Sequence, residues 1–213
     1  MGVPIARLLG SPRLLYVLGR FGARVALALA GTKVVFEGLD PLLLDHANVV
    51  VMPNHASNLD ALVLFGFMPI DFKAIYKREI DRFPFFSRAL HFAGFIDVDR
   101  NEKADARQAV ARAAASLQGG SCFVVFPEGT RSRTGALGEF KKGGFVVAIE
   151  ARSRIVPVAI QGTRALMPRG RFGVRSGEVR VRVLDPVNAA AYSYEDRERL
   201  IALVRGRIEA ALA

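Results

Sequence analysis

Short apolar runs and longer helical patterns alternate along this chain of 213 residues. Two of the apolar runs, at 48–52 and 121–126, stop at Pro53 and Pro127, and such runs are typical of buried strands. Between 179 and 183 valine alternates with arginine, which predicts a strand with one exposed face. The predicted strands are 33–37, 48–52, 72–76, 95–98, 121–126, 155–160 and 179–183.

Helical patterns fill most of the segments between these strands. The clearest runs from 102 to 117 and ends before Gly119 and Gly120, since glycine favours a helix C-terminus. The predicted helices are 59–67, 85–92, 102–117, 143–151 and 194–212. This alternation predicts an α/β fold: a single domain with a mixed, mainly parallel sheet flanked by helices. In such sheets the functional site lies beyond the carboxyl ends of the strands.

The N-terminal segment 14–30 is apolar but contains Arg20 and Arg24. Each arginine costs about 2.5 kcal/mol or more at the centre of a membrane-spanning helix, so a span is disfavoured, and a signal peptide fits poorly. Arg13, Arg20 and Arg24 share one helical face, and no acidic residue precedes Glu37. The pattern predicts an amphipathic helix at a membrane surface, with arginines at anionic head groups. The other interpretation is an amphipathic helix packed on the domain.

Charge and hydropathy narrow the class of partner. Hydrophobic residues make up 51% of the chain and mean hydropathy is +0.25, which leaves apolar surface for a lipid phase. The net charge is +10, so anionic lipid, an acidic carrier protein and nucleic acid all fit. The chain has no zinc-finger spacing, no basic heptad, no aromatic RNA-binding strand and no tryptophan. We therefore predict no nucleic-acid partner.

Cys122 is the only cysteine, so an intramolecular disulfide is excluded. A single cysteine is compatible with a reducing compartment. Because it stands beside an apolar run, we predict that Cys122 is a small core residue.

Residues 53–60 read Pro-Asn-His-Ala-Ser-Asn-Leu-Asp and follow a predicted strand. His55 and Asp60 would lie about 140° apart on a regular helix, so they can meet only if the chain turns between them. Ser57 and Asn58 are favoured helix N-caps, which makes a strand–turn–helix junction plausible there. A hydrogen bond to Asp60 would fix the tautomer of His55 and support its imidazolium. On its own, this spacing specifies no function.

The simplest chemistry for this pair is direct. No serine or cysteine carries a recognisable nucleophile-elbow motif. His55 would deprotonate a substrate hydroxyl, which then attacks an activated acyl group without an acyl-enzyme.

A second segment, 126–133, reads Phe-Pro-Glu-Gly-Thr-Arg-Ser-Arg and also follows a strand. Arg131 offers a planar fork that suits phosphate. Backbone N–H groups near Gly129 and Thr130 would suit a phosphate or a developing oxyanion. The other interpretation is an ordinary charged loop.

Together these segments resemble the glycerolipid acyltransferases, the 1-acylglycerol-3-phosphate acyltransferase superfamily. Residues 54–60 resemble its first block and 126–132 its third. Residues 94–100, Gly-Phe-Ile-Asp-Val-Asp-Arg, resemble the second, and 155–160, an apolar strand around Pro157, resemble the fourth. Lys77-x-Glu79 and 140–143 match flanking features. All occur in family order over about residues 33–185. The resemblance therefore divides the chain into a membrane-associating segment, 1–32, and an acyltransferase domain, 33–213.

The resemblance implies a role for each matching residue. The first-block histidine is the general base on the acceptor hydroxyl and the aspartate orients it, so these roles fall on His55 and Asp60. Acceptor-side roles fall on Arg100, Glu128, Gly129, Thr130 and Arg131, with Lys77 and Lys141 as further phosphate contacts. Two positions depart from the family pattern, Ala56 and Asp97, and either would affect acceptor preference.

Other basic residues are less specific. With no ligand partners at metal spacing, His46 and His91 are predicted to be structural, and no metal is expected. The stretch 164–175 carries four arginines, Arg164, Arg169, Arg171 and Arg175. It is either a solvated loop or a contact for anionic lipid or an acidic acyl-carrier protein.

The resemblance leads to a specific expectation. The protein would transfer a fatty acyl group from acyl-carrier protein or acyl-CoA to 1-acylglycerol-3-phosphate, giving phosphatidic acid. Both donors are already activated, so no cofactor is needed. It would be a peripheral enzyme on the cytoplasmic face of the cell membrane. The alternatives are the same chemistry on another lysolipid, such as lyso-ornithine lipid, a hydrolase that uses His55 to activate water, and a non-catalytic membrane-surface binding protein.

Overall fold

The computed structural model describes residues 11–38, 48–99, 102–171 and 173–213. Within this part of the chain the strands are β1 Thr32–Glu37, β2 Val49–Pro53, β3 Phe72–Lys77, β4 Ile96–Val98, β5 Cys122–Val124, β6 Arg154–Gln161, β7 Gly177–Val183 and β8 Val187–Asn188. The α-helices are α1 Arg13–Leu29, α2 Leu59–Phe67, α3 Pro84–Phe92, α4 Lys103–Gln118, α5 Gly143–Glu150, α6 Thr163–Leu166 and α7 Arg197–Leu212. Short 3₁₀ helices cover Arg78–Arg82 and Ala189–Ala191.

These strands form one sheet in the order β1-β7-β6-β2-β5-β3-β4, with β8 also paired to β6. Five neighbours, from β6 to β4, are mutually parallel. β7 and β8 run antiparallel to β6, and β1 runs parallel to β7. The sheet is therefore mixed and mainly parallel, as the alternation of strands and helices predicts.

The central strands are apolar because helices cover both faces of the sheet. Every residue of β2 is buried, which suits an apolar run inside a parallel sheet. One core packs α4, α5 and α7 against one face, with Phe123 and Phe145 at its centre. The other packs α1 and α2 against the opposite face, around Leu64 and Val156. Each such side chain contributes about 1.5–3 kcal/mol through burial.

Most predicted elements differ from the observed ones by one or two residues at an end, and β5 and α7 differ most. β5 ends at Val124 and not at 126; the Val125 N–H still donates to the Val51 carbonyl at 2.9 Å, and the Phe126 ring then stacks on His55. α7 begins at Arg197 and not at 194, because Asp196 accepts hydrogen bonds from Ser193 and forms a turn. Cys122 is buried in the core, and burial raises the pKa of its thiol to about 12.

α1 packs on α2 with Tyr16, Ala23 and Leu27 buried. Two of its arginines contact the domain, while Arg13 and Arg24 keep exposed surface, and contact with head groups stays a prediction. The Arg20 guanidinium lies 2.9 Å from the Asp71 carboxylate, and Arg24 donates to the Gly66 carbonyl at 2.7 Å. The outer side of the helix is apolar and exposed, and comprises Val17, Leu18, Phe21, Val25 and Leu29. Across the described ranges, no helix has both the length and the apolar character needed to span a bilayer.

Candidate active site

The site begins where β2 ends. The Asn54 side chain, at the next position, donates to the Ile160 carbonyl at 3.0 Å and accepts the Ile160 N–H at 2.7 Å. These two hydrogen bonds attach the chain leaving β2 to the neighbouring strand β6. Because Asn54 is buried, each bond is formed away from competing water. The turn that follows therefore starts from a fixed point.

The turn brings His55 and Asp60 together, as their sequence context predicts. Nδ1 of His55 lies 2.8 Å from Oδ2 of Asp60. The same oxygen accepts the N–H groups of Ala56 and Ser57, at 2.7 and 2.8 Å. Asp60 is completely buried in the first turn of α2, where a negative charge faces the positive end of the helix dipole. A carboxylate with three donors is held in one orientation, and it holds the imidazole in turn.

The tautomer of His55 follows from this contact. A carboxylate can only accept, so Nδ1 carries the hydrogen that points at Asp60. Nε2 is then the nitrogen that can accept a proton. The His55 ring also stacks on Phe126, with ring centroids 4.0 Å apart, and its side chain keeps 18% of its surface exposed. This arrangement gives an oriented base with access to a ligand.

Glu128 holds the backbone of His55. Its Oε1 accepts the His55 N–H at 2.7 Å, and its Oε2 accepts the Gly138 N–H at 2.9 Å. On the other side of the histidine, Ser132 donates its N–H to the His55 carbonyl at 2.7 Å. Glu128 is buried, with 5% of its surface exposed. Both oxygens accept backbone N–H groups, and Glu128 also lines a cavity together with Arg131 and Lys141, so its acceptor-side role stays a prediction.

The loop after β5 forms a basic cavity of about 400 Å³. Thr130, Arg131 and Lys141 line it, as expected for acceptor-side residues, together with Arg133 and Arg169. Gly129 has a positive φ of 67°, which glycine adopts without strain. Its N–H donates to the Phe126 carbonyl at 3.0 Å, and an anion site at the N–H groups near Gly129 and Thr130 stays a prediction.

Two arginines from the 164–175 stretch support the basic cavity. Arg164 donates to the Ser132 carbonyl at 3.3 Å, and Arg169 donates to the Arg131 carbonyl at 3.2 Å. Arg171 and Arg175 are exposed. The stretch is therefore neither a purely solvated loop nor a separate patch, since half of its arginines contact the site loop.

Lys77 lies at the carboxyl end of β3, on the same edge of the sheet as His55. Its ammonium pairs with Glu79 at 2.5 Å, and both side chains are about half exposed. Arg100 and His46 lie outside the described residues. His91 contacts the Tyr76 hydroxyl at 3.0 Å and lies 3.6 Å from Asp81. Among the described residues, no group of three metal-ligating side chains comes together.

Asp97, which departs from the family pattern, belongs to an ion-pair network beside β4. Arg78 contacts Asp97 at 2.9 Å and Asp105 at 2.6 Å, and Asp105 also accepts the Asp99 N–H at 2.6 Å. Burial raises the pKa of Asp97, but the hydrogen bond from Arg78 and the charge of Arg112 outweigh it and lower the pKa overall. The network holds the chain just before Arg100.

An apolar cavity of about 540 Å³ begins beside the His55 ring. Phe126, which stacks on that ring, lines it together with Asn58, Leu62 and Phe65. A second apolar cavity of about 380 Å³ shares Phe65 and Phe86 with the first. The α1 wall of the first cavity consists of small residues, Gly19, Gly22, Ala23 and Ala26. Their spacing in the sequence places them on one helical face, so the pattern that marks this wall is visible in the sequence.

The fold and the site together define a class: an α/β domain with an oriented histidine, whose contacts Phe126 and Glu128 line an apolar cavity and a basic cavity respectively. A family model described as Acyltransferase matches residues 33–161, more than half of the chain. The chain belongs to this acyltransferase family.

Individual relatives within this family carry names that state their activity. The sequence is 34% identical to the chloroplastic 1-acyl-sn-glycerol-3-phosphate acyltransferase LPAT1 of Arabidopsis thaliana, over 74% of this chain and 44% of that protein. It is 28% identical to the 1-acyl-sn-glycerol-3-phosphate acyltransferase of Borreliella burgdorferi, over 92% of this chain and 78% of that protein. The chain therefore spans about half the length of the Arabidopsis relative.

A solved structure extends the likeness to the fold. The crystal structure of the 1-acyl-sn-glycerophosphate (LPA) acyltransferase PlsC from Thermotoga maritima matches with a TM-score of 0.82 and 27% identity. The match covers 94% of this chain and 79% of that chain. It confirms the predicted α/β domain with a mixed, mainly parallel sheet flanked by helices.

Proposed function

We propose that this protein transfers a fatty acyl group from acyl-carrier protein or acyl-CoA to the free hydroxyl of 1-acylglycerol-3-phosphate, giving phosphatidic acid. The observation that carries the proposal is the 2.8 Å contact between His55 Nδ1 and Asp60, in a histidine whose ring stacks on Phe126 of the apolar cavity. The activity named for the Arabidopsis, Borreliella and Thermotoga relatives supports the choice of substrate.

In this mechanism His55 is the general base. Nε2 accepts the proton of the acceptor hydroxyl as its oxygen attacks the thioester carbonyl carbon, so a C–O bond forms and the C–S bond breaks. The imidazolium is stabilised by the buried Asp60 carboxylate and then returns the proton to the leaving thiolate. Asp60 is a positioning residue, because it acts through His55. No acyl-enzyme is needed, since the thioester is already activated.

The two cavities divide the substrates. A fatty acyl chain is apolar and fits the cavity that begins at Phe126. The acceptor phosphate carries negative charge and fits the basic cavity lined by Arg131 and Lys141. His55 lies between them, because Ser132 and Glu128 of the basic loop hold its backbone while its ring contacts Phe126.

The protein acts at a membrane surface in this proposal, as a peripheral enzyme on the cytoplasmic face. Its support is an exposed apolar area on neighbouring helices. Phe21 on α1 is 67% exposed, and Phe85 on α3 is 82% exposed. Aromatic side chains are favourable at the head-group boundary. Both helices line the apolar cavity, so insertion at this face would bring the lipid phase beside the acyl chain.

The test is a transfer assay with the purified chain, labelled 1-acylglycerol-3-phosphate, and acyl-CoA or acyl-carrier protein as donor. We expect labelled phosphatidic acid from the wild type, and a loss of about 10²–10⁴-fold in rate for His55→Ala. His91→Ala is the matched control, because this histidine also lies near a carboxylate but outside the site.

The products separate the competing functions. Free fatty acid without diacyl lipid would show a hydrolase. Diacyl product only from another lysolipid, such as lyso-ornithine lipid, would identify that lysolipid as the acceptor. Membrane binding without product from any pair of donor and lysolipid would indicate a non-catalytic binding protein. Full activity in His55→Ala would show that His55 is not the general base.

A further inference from the structure

A third cavity, of about 600 Å³, lies at the opposite edge of the sheet from His55. Lys73 and Ser121 line it, at the amino ends of β3 and β5. His55 instead follows the carboxyl end of β2, and these three strands are parallel. The cavity is therefore separate from the proposed transfer site, and nothing in the proposed function uses its charged residues.

Lys73 is held in this cavity by hydroxyl groups. Its ammonium donates to Ser116 Oγ at 2.8 Å and to Ser121 Oγ at 2.9 Å, and the two hydroxyls contact each other at 2.9 Å. Within the described ranges, no carboxylate forms an ion pair with Lys73. Burial lowers the pKa of its ammonium. A partly buried cation without an anion is unfavourable, so a bound anion would stabilise it.

The rest of the cavity adds positive charge. Arg13 and Arg20 also line it, and Asp71 is the one acidic side chain among its described lining residues. Asp71 pairs with Arg20 at 2.9 Å, which leaves Arg13 and Lys73 uncompensated there. Arg20 Nε is buried and has no hydrogen-bond partner in the described part of the chain.

The N-terminus of α1 adds to the positive charge of this cavity. The helix begins at Arg13, which lines the cavity, and its first turn has no acidic residue. Ser11 Oγ accepts the Arg13 N–H at 3.2 Å. The partial positive charge of a helix N-terminus favours an anion nearby. This adds to the lysine, the guanidinium groups and the serine hydroxyl.

We propose that this cavity binds the phosphate group of an anionic ligand, with Lys73 and Arg20 as its main contacts and Ser121 as a hydroxyl donor. An ammonium, a guanidinium and a hydroxyl are the side-chain donors that phosphate oxygens accept. A phosphate group with a charge between −1 and −2 matches the excess of two cations. The volume admits a phosphate ester as well as the bare ion.

Two sources share this chemistry. One is a soluble phosphate ester, and the other is the head group of an anionic lipid. Val17 connects the second source to the site, because it lines the cavity and is 56% exposed on the outer side of α1.

The experiment is calorimetric titration of the purified full chain with inorganic phosphate and with glycerol phosphate. We expect Lys73→Met to weaken one binding event by at least about tenfold, the loss of a charge-assisted hydrogen bond. Lys73→Arg keeps the charge and should retain binding. Lys33→Met is the matched control, since Lys33 is an exposed lysine on β1, outside the cavity.

A second arm uses vesicles of phosphatidylcholine with and without phosphatidic acid. Binding to the acidic vesicles that weakens in Lys73→Met, but not in Lys33→Met, identifies the lipid source. Arg131→Met separates this site from the proposed acceptor site, because its loss should leave the Lys73-dependent event intact.

The unfolding midpoint of each variant is measured to check that the variant is folded. Should Lys73→Met unfold, Ser121→Ala removes one hydroxyl and should still weaken the same event several-fold. Unchanged binding of phosphate and of acidic vesicles by folded Lys73→Met overturns the proposal. So does a single binding event that Arg131→Met abolishes and Lys73→Met leaves unchanged.

Discussion

Residues 54–60 and the helices α1 and α3 border the same apolar cavity, but different interactions hold them in place. The turn is fixed by short hydrogen bonds between buried polar groups, from Asn54 to β6 and from Asp60 to three donors. α1 also contacts the domain through Arg20 and Arg24, but the sides of both helices that face the cavity are apolar or small. The two helices leave Phe21 and Phe85 exposed. One wall of the site therefore holds His55 in a fixed position, and the other wall can accommodate apolar groups of different size.

Changing Asp60 should damage the rigid wall most. In Asp60→Asn the amide oxygen can take the place of Oδ2 and accept the same three hydrogen bonds, but the negative charge that stabilises the imidazolium is lost. The amide NH2 then replaces Oδ1, which is buried and has no partner among the described residues, so two donors are left unsatisfied. We expect the transfer rate to fall about 10²–10⁴-fold and the free energy of unfolding to fall by about 1–3 kcal/mol. Steady-state kinetics and denaturant titration measure the two effects. Asp81→Asn, beside His91, is the control and should change the transfer rate and the stability little. Near-normal kinetics in Asp60→Asn would show that Asp60 does not position His55 for catalysis.

Changing Glu128 tests whether it positions His55 or binds the acceptor. Glu128→Gln can accept only one of the two N–H groups that the carboxylate now accepts. We expect kcat to fall about 10–100-fold with little change in KM for 1-acylglycerol-3-phosphate, since a displaced base slows chemistry and not binding. Glu150→Gln, an exposed residue at the end of α5 that does not line the basic cavity, is the control. A large rise in KM at constant kcat would instead return Glu128 to the acceptor side.

Changing the exposed aromatic residues tests the adaptable wall. Phe21→Ser and Phe85→Ser each remove an apolar group worth about 1.5–3 kcal/mol when buried in lipid. We expect each variant to bind anionic vesicles roughly tenfold or more weakly in a sedimentation assay, with an unchanged unfolding midpoint. Leu203→Ser on α7 is the control, because Leu203 is 37% exposed but lies away from α1 and α3. Equal binding by all three variants would exclude this face from the membrane contact.

The smallest effect should come from filling the apolar cavity. A side chain at Gly22 meets no atom within 4 Å at its first carbon, so Gly22→Leu adds volume without an immediate clash. We expect rates with long acyl donors to fall several-fold relative to short ones, measured in a competition assay. Gly206→Leu on α7 is the matched control, since it is equally open and does not line the cavity. Parallel loss for all chain lengths would argue against this cavity holding the acyl chain.

Local patterns predict most of the fold. Apolar runs that stop at Pro53 and Pro127 mark strands that lie side by side with their carboxyl ends at one edge, and the His55–Asp60 contact follows from the turn between them. These features depend on neighbours in sequence. Their physical causes, burial and helix capping, can be recognised without coordinates.

Contacts between distant residues were not predictable in this way. Glu128 was expected on the acceptor side, and its contact with His55, which precedes it by 73 residues, was not predicted. Arg20 and Arg24 share a helical face, but their partners Asp71 and Gly66 decide where they point. A single sequence does not specify which polar group will satisfy a buried N–H or guanidinium. The residues that line each cavity could not be predicted for the same reason, since each wall combines residues from several elements.

In the described part of the chain, α1 is the only helix between the second apolar cavity and the outer side where Leu18 is exposed, and Leu18 also lines that cavity. If the outer side rests in a lipid leaflet, substrates are encountered by lateral diffusion and their relevant concentration is a surface density. The rate would then follow the mole fraction of lysolipid in the bilayer, and adding inert phospholipid would lower it at constant bulk concentration. Kinetic constants for such an enzyme are properties of a two-dimensional solution.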